Sequence, residues 1–206
     1  MSKIFFNPWI GDNYQSGGIF KKKILVLGEA HICEAGCTMC GNPEDAEECG
    51  DFTHRTMELI LRGETHRWTP TFRKFERSLV GETTDLERSR KIWHSVAFYN
   101  YLQKSMGEAR TAPEWVDFRE SEDAFFEVLD KLQPELLIVW GVTRMYDCLP
   151  GGERWRKGAD MIVDGKEIKN GYYRLSNGKE VRALWVYHPS AGYSLERWNK
   201  VINTEL

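Results

Sequence analysis

The chain has 206 residues, 41% hydrophobic and 29% charged, the proportions of an ordinary globule with length for one domain and a covered sheet. Its formal net charge of −3 and pI near 6.0 exclude a globally basic nucleic-acid surface, so any phosphate contact needs a local cluster of cations or backbone N–H groups. No apolar stretch reaches the roughly 18 residues of a membrane span and no signal-peptide core is present, so a cytoplasmic protein without a membrane partner is expected.

Residues 1 to 22 are irregular, with turns at Gly11-Asp12-Asn13 and Ser16-Gly17-Gly18 and aromatics that should fold back onto the domain. Lys23 to Leu27 is a strand ending at Gly28, and a Cys-rich loop follows over residues 33–49. Met57, Ile60 and Leu61 fall at helical spacing, and residues 64 to 92 hold one or two helices with Phe72, Phe75 and Leu79 inward. The cations of that stretch, Arg67 to Lys91, alternate with acids and read as a solvated face.

Trp93 to Tyr99 reads as a second strand ending at Asn100. Ser121, backed by Glu122 and Asp123, is the expected N-cap of an amphipathic helix that stops at Pro134. Leu136 to Trp140 is a continuous apolar run, the pattern of a parallel strand buried on both faces, and it ends at Gly141. Val163-Asp164-Gly165-Lys166 and Ser176-Asn177-Gly178-Lys179 signal a β-hairpin excursion around residues 160–180. The last strand is Arg182 to Tyr187, and a short helix runs from Leu195 to Ile202. This order predicts an α/β fold: a single domain over 1–206, a three-layer α/β/α sandwich with a short, mainly four-stranded parallel sheet.

Ligands of parallel α/β sheets bind beyond the carboxyl ends of the strands, which draws attention to three turns. Gly28-Glu29-Ala30-His31 delivers a carboxylate beside a small residue, with helix capping or an Arg pair as its structural role. Asn100 can donate and accept at once, as an edge reader or as a strand-ending Asx turn. His188-Pro189-Ser190 fixes the direction of a His because Pro restricts its predecessor, and such a His can stabilise charge on a substrate oxygen or simply close a tight turn by hydrogen bonding to backbone. Ser190, Gly192 and Ser194 offer small groups and N–H donors to a phosphate, and Tyr193 projects from the same loop.

These motifs, in this order, resemble the uracil-DNA glycosylase superfamily, and within it the thermophile-type, iron–sulfur class. Leu27-Gly28-Glu29-Ala30 resembles the first motif, Gly-Glu-Ala-Pro-Gly; Asn100 with Ala109-Arg110-Thr111-Ala112-Pro113 resembles the strand-end Asn and Arg-Thr-Pro loop. Gln133 to Gly141 resembles the helix-Pro-strand-Gly stretch, and Tyr187-His188-Pro189-Ser190 is similar to the second active-site motif. The resemblance implies a DNA partner bearing a deaminated or damaged base that is flipped into a pocket. In that reading Glu29 and His188 are catalytic, Ala30, His31, Asn100, Ser190, Gly192 and Tyr193 bind substrate, and Tyr193 or a neighbour fills the gap left by the base. His31 stands where the family has Pro, Ala30 where some classes have an activating Asp, and Phe52 is the candidate for the base-stacking Phe. A non-catalytic nucleic-acid or nucleotide binder with the same turns, and a metal-stabilised hydrolase of another N- or O-linked substrate, are the competing readings.

Four of the five cysteines, Cys33, Cys37, Cys40 and Cys49, are spaced C-x3-C-x2-C-x8-C and suit a structural metal, zinc ahead of an iron–sulfur cluster. Residues 34 to 51 carry only acidic charge, so the loop should avoid phosphate and support the site from behind or face a protein partner. Cys148 reads as a core thiol.

Overall fold

In chain order the elements are β1 (Trp9–Ile10), β2 (Ile24–Gly28), α1 (Phe52–Arg62), α2 (Thr69–Val80), α3 (Leu86–Trp93), β3 (Val96–Asn100), α4 (Trp115–Glu120), α5 (Glu122–Leu132), β4 (Leu136–Trp140), α6 (Met145–Cys148), β5 (Trp155–Lys157), β6 (Ile162–Val163), β7 (Lys166–Glu167), β8 (Asn170–Arg174), β9 (Glu180–Val186) and α7 (Leu195–Asn203). The structure, a computed structural model, describes residues 2–33, 49–107 and 112–206.

The main sheet has seven strands in the order β1-β3-β2-β4-β9-β8-β5, rather than mainly four. The four expected strands form its parallel centre, β3-β2-β4-β9. The sheet is longer because β1 adds antiparallel to β3, and because the β8–β9 hairpin continues into β5 instead of standing apart as an excursion. Among the described residues β6 and β7 form a separate ribbon, where Asp164 and Gly165 take φ of +50° and +72°, as a two-residue hairpin turn requires.

Every residue of β2, β3 and β4 is buried, and side chains alternate between two apolar clusters. Leu25, Leu27, Leu137 and Val139 face α4, α5 and α6 through Phe118, Phe125, Leu129 and Met145. Ile24, Val26, Ile138 and Trp140 face α1, α2, α3 and α7 through Ile60, Phe75, Trp93 and Trp198. The chain passes from β2 to β3 on one side and then back across β2 to β4 on the other. The crevice between the carboxyl ends of β2 and β4 is therefore the topological switch point of the sheet.

At Trp93 and Ser121 the structure departs from the expected elements. Trp93 ends α3 rather than opening a strand, because its indole Nε1–H donates to the buried Glu76 at 2.7 Å and turns the ring into the helical layer. Ser121 precedes α5 but does not cap it: its Oγ donates to the Asp117 carbonyl at 2.8 Å and accepts the Gln103 N–H at 3.0 Å. Among the described residues no helix is long and apolar enough to cross a membrane.

Candidate functional site at the strand ends

Gly28 and Asn100 are register partners at the ends of β2 and β3. With no side chain on Gly28, the Asn100 amide lies across it, and a Cβ there would come within 2.1 Å of Asn100 Oδ1. Gly28→Ala is expected to displace that amide and destabilise the fold by about 1–3 kcal/mol, measurable by denaturant unfolding. Beyond the strands the two chains stay paired. The Leu102 N–H donates to the Glu29 carbonyl at 2.9 Å, and the Met106 N–H to the His31 carbonyl at 2.8 Å, which fixes the turn.

Glu29 is 21% exposed and is held by Arg144, which follows Gly141 at the end of β4. Arg144 Nε donates to Oε2 at 2.8 Å and Nη2 donates to Oε1, a bidentate pair spanning the switch point. No sequence pattern singled out Arg144. The available signal was its place three residues after a strand-ending Gly. Ala30 packs against the cluster beneath α5.

His31 is 4% exposed and caged by the rings of Phe6 and Phe52, with centroids at 4.7 and 4.6 Å. Asn100 Nδ2 donates to its Nδ1 at 3.1 Å, and Nε2 lies 3.0 Å from Thr53 Oγ1, a pattern satisfied by the neutral Nε2–H tautomer. Burial pushes the ring pKa down to about 3, so the imidazole is neutral at physiological pH. His31 is thus a buried partner of Asn100, and the expected base-edge reader is engaged inside the protein. Phe52 walls the His31 cage.

His188 follows β9. Its Nδ1 accepts the Ser190 N–H at 3.3 Å and lies 2.7 Å from Ser190 Oγ, which leaves Nε2 to carry the proton of the neutral ring. The Trp140 ring meets it edge-on at 5.9 Å. Burial lowers the His188 pKa, and the Glu29 carboxylate partly offsets the shift. Because the folded value lies below the unfolded one, the neutral ring contributes stability above pH 6.5, lost as pH falls through the folded pKa. Glu29→Gln should lower the His188 midpoint further, read from the imidazole signals in an NMR titration.

Ser190 and Gly192 are exposed on the same loop. Tyr193 does not project: its ring packs with the α2–α7 layer and its hydroxyl lies 2.6 Å from Ser78 Oγ. Burial raises its pKa, and the residue anchors the loop instead of reaching outward. Ser194 caps α7, its side chain accepting the Arg197 N–H.

Cys33 and Cys49 are free thiols, and Cys33 packs against the small cluster of Phe6 and Cys49, so both ends of the Cys-rich loop sit behind the His31 cage. Cys37 and Cys40 lie outside the described residues, as do Ala109, Arg110 and Thr111 of the loop after Asn100. Among the described residues no group of three or more His, Cys, Asp or Glu is placed for a metal. Cys148 is half-buried against the cluster beneath α5, and burial raises its pKa.

Two surface depressions are lined by residues other than those at the strand ends. One of about 650 Å³ is lined by Glu122, Phe126, Asp130 and Arg154, and one of about 590 Å³ by Asp51, His54, Arg55 and Glu58. No protein-family model matches the chain, and no curated protein matches it.

Proposed function

We propose that the chain is a DNA glycosylase-like enzyme that cleaves the N-glycosidic bond of uracil or another damaged base by base flipping. One observation carries the reading: Glu29, Asn100 and His188 stand at the carboxyl ends of β2, β3 and β9 on one edge of the same parallel sheet, with Arg144 beyond β4 bonded to Glu29 across the switch point. The helices on both faces support a three-layer α/β/α sandwich, and a cysteine spacing that suits a metal rather than disulfides fits a cytoplasmic protein.

In this mechanism the C1′–N bond breaks and its electron pair leaves with the base. His188 Nε2–H donates to the base oxygen on which the charge gathers. Glu29 offsets positive charge on the sugar and orients a water, which adds to C1′ and gives up a proton that neutralises the departed base anion through solvent. Arg144 holds both carboxylate oxygens in place. The four loop cysteines, Cys33, Cys37, Cys40 and Cys49, would bind a structural zinc ion, ahead of an iron–sulfur cluster, and brace the turn from behind.

A second reading, a non-catalytic binder of nucleic acid or nucleotides, is favoured by the internal engagement of Asn100 by His31 and of Glu29 by Arg144. Oligonucleotides bearing uracil, hypoxanthine, xanthine or mismatched thymine, incubated with protein and then treated with alkali, separate the two. Strand breaks lost in Glu29→Ala and His188→Ala support the enzyme. Binding without breaks on any substrate supports the second reading. Elemental analysis of the same protein should find stoichiometric zinc, and a sample with neither zinc nor iron would overturn the metal assignment.

A further inference from the structure

The bond to Glu29 uses one edge of the Arg144 guanidinium, Nε and Nη2, and Nη1 has no partner among the described residues. A guanidinium is a planar fork of five donors, so it can hold two anionic groups on adjacent edges. Arg144 is also the more exposed partner, 43% against 21% for Glu29, which leaves a side open to solvent. A second cation lies near the same turn: Lys169 Nζ, which donates to Glu167 at 3.1 Å, is 5.3 Å from the centroid of the Tyr146 ring, two residues beyond Arg144. The Lys169 carbonyl accepts the Trp185 N–H at 3.0 Å, which places it toward the carboxyl end of β9, the end that carries Ser190.

We propose that Arg144 is a phosphate-binding residue, its free edge taking a phosphate oxygen of the nucleotide whose base lies against His188 while its other edge stays on Glu29. The inference rests on the nucleotide reading above. It names a phosphate mono- or diester as the group recognised and makes Arg144 the link between strand binding and the position of Glu29. A cation held by a carboxylate is already oriented when the phosphate arrives, so less freedom is lost on binding.

The test uses the whole chain and three probes: inorganic phosphate, deoxyuridine 5′-monophosphate, and a labelled single-stranded oligonucleotide containing one uracil. The Arg144 Nε–Hε signal, assigned by its loss in Arg144→Lys, should shift with all three. A shift with both free phosphates but not the oligonucleotide would identify the ligand as a free nucleotide, and a signal unmoved by every probe overturns the proposal. For the oligonucleotide, Arg144→Gln should make the plot of log affinity against log salt shallower by about 0.7, and Arg144→Lys should keep the parental slope. Where the oligonucleotide moves the Arg144 signal, a folded Arg144→Gln protein with parental affinity and slope overturns the proposal. A phosphate-induced shift in a protein that releases no base would leave the anion site standing and remove the glycosylase reading.

Discussion

Replacing His188 by Ala is expected to slow base release by about 10²–10³-fold, the usual cost of removing one donor from developing oxyanion charge. The ring is aimed before substrate arrives, because Ser190 occupies Nδ1 through both its N–H and its hydroxyl. That leaves Nε2–H as the single ring donor toward a ligand. The substitution removes a half-buried side chain at a loop, so the melting temperature should move by no more than roughly 4 °C. Single-turnover cleavage of a uracil-containing oligonucleotide, followed by alkali, measures the effect. A variant as fast as the parent would take His188 out of the mechanism.

Glu76→Ala is expected to produce the largest loss of stability, about 3–5 kcal/mol, as for one member of a buried charged pair. The Glu76 carboxylate is fully buried. Arg73 donates to both oxygens at 3.0 and 3.1 Å, Ser89 Oγ to one at 2.8 Å, Trp93 Nε1 to the same one at 2.7 Å, and Thr84 Oγ1 to the other at 2.8 Å. Removing the acceptor leaves the buried Ser89 and Trp93 donors and the half-buried Arg73 and Thr84 without it, and the buried donors carry the largest desolvation cost. The expected fall in melting temperature is roughly 6–20 °C for a chain of this size. Glu76→Gln, which keeps an acceptor oxygen and the side-chain volume, should lose less. Equal losses would show that filling space, rather than accepting hydrogen bonds, is what Glu76 contributes.

The parallel centre of the sheet was readable because burial on both faces leaves an uninterrupted apolar run, as at Leu136–Trp140, where observed and expected bounds agree. The edges were not. β1 is two residues long and exists only because Trp9 and Ile10 meet Phe98 and Ala97, a pairing that no local pattern announces. Trp93 has strand-like neighbours, yet a hydrogen bond to a residue 17 positions earlier decides its place.

The site divides in the same way. Glu29, Asn100 and His188 were visible as polar residues where apolar strands stop. Their partners were not: Arg144 sits on a loop with no pattern of its own, and the spacing that announces the helix of Thr53 does not say that its first turn meets His31. Tyr193 was misread for a related reason. A loop aromatic looks free until the hydroxyl on a neighbouring helix, here Ser78, is in view.

Gln103 accepts the N–H groups of Phe5 and Phe6 at 2.8 and 3.1 Å, and Phe6 is one wall around His31. That contact spans nearly a hundred residues, His31 to Asn100 spans 69, and Glu29 to Arg144 spans 115. Each loop must close before its contact repays the lost chain entropy. During synthesis the end of β2 would therefore emerge with Phe6 but without its later partners, and the cage would close only after Gln103 had left the ribosome. The ion pair would form later still, once Arg144 followed. Assembly of these turns is thus a late event in folding, and no short N-terminal fragment should carry the site ready-made.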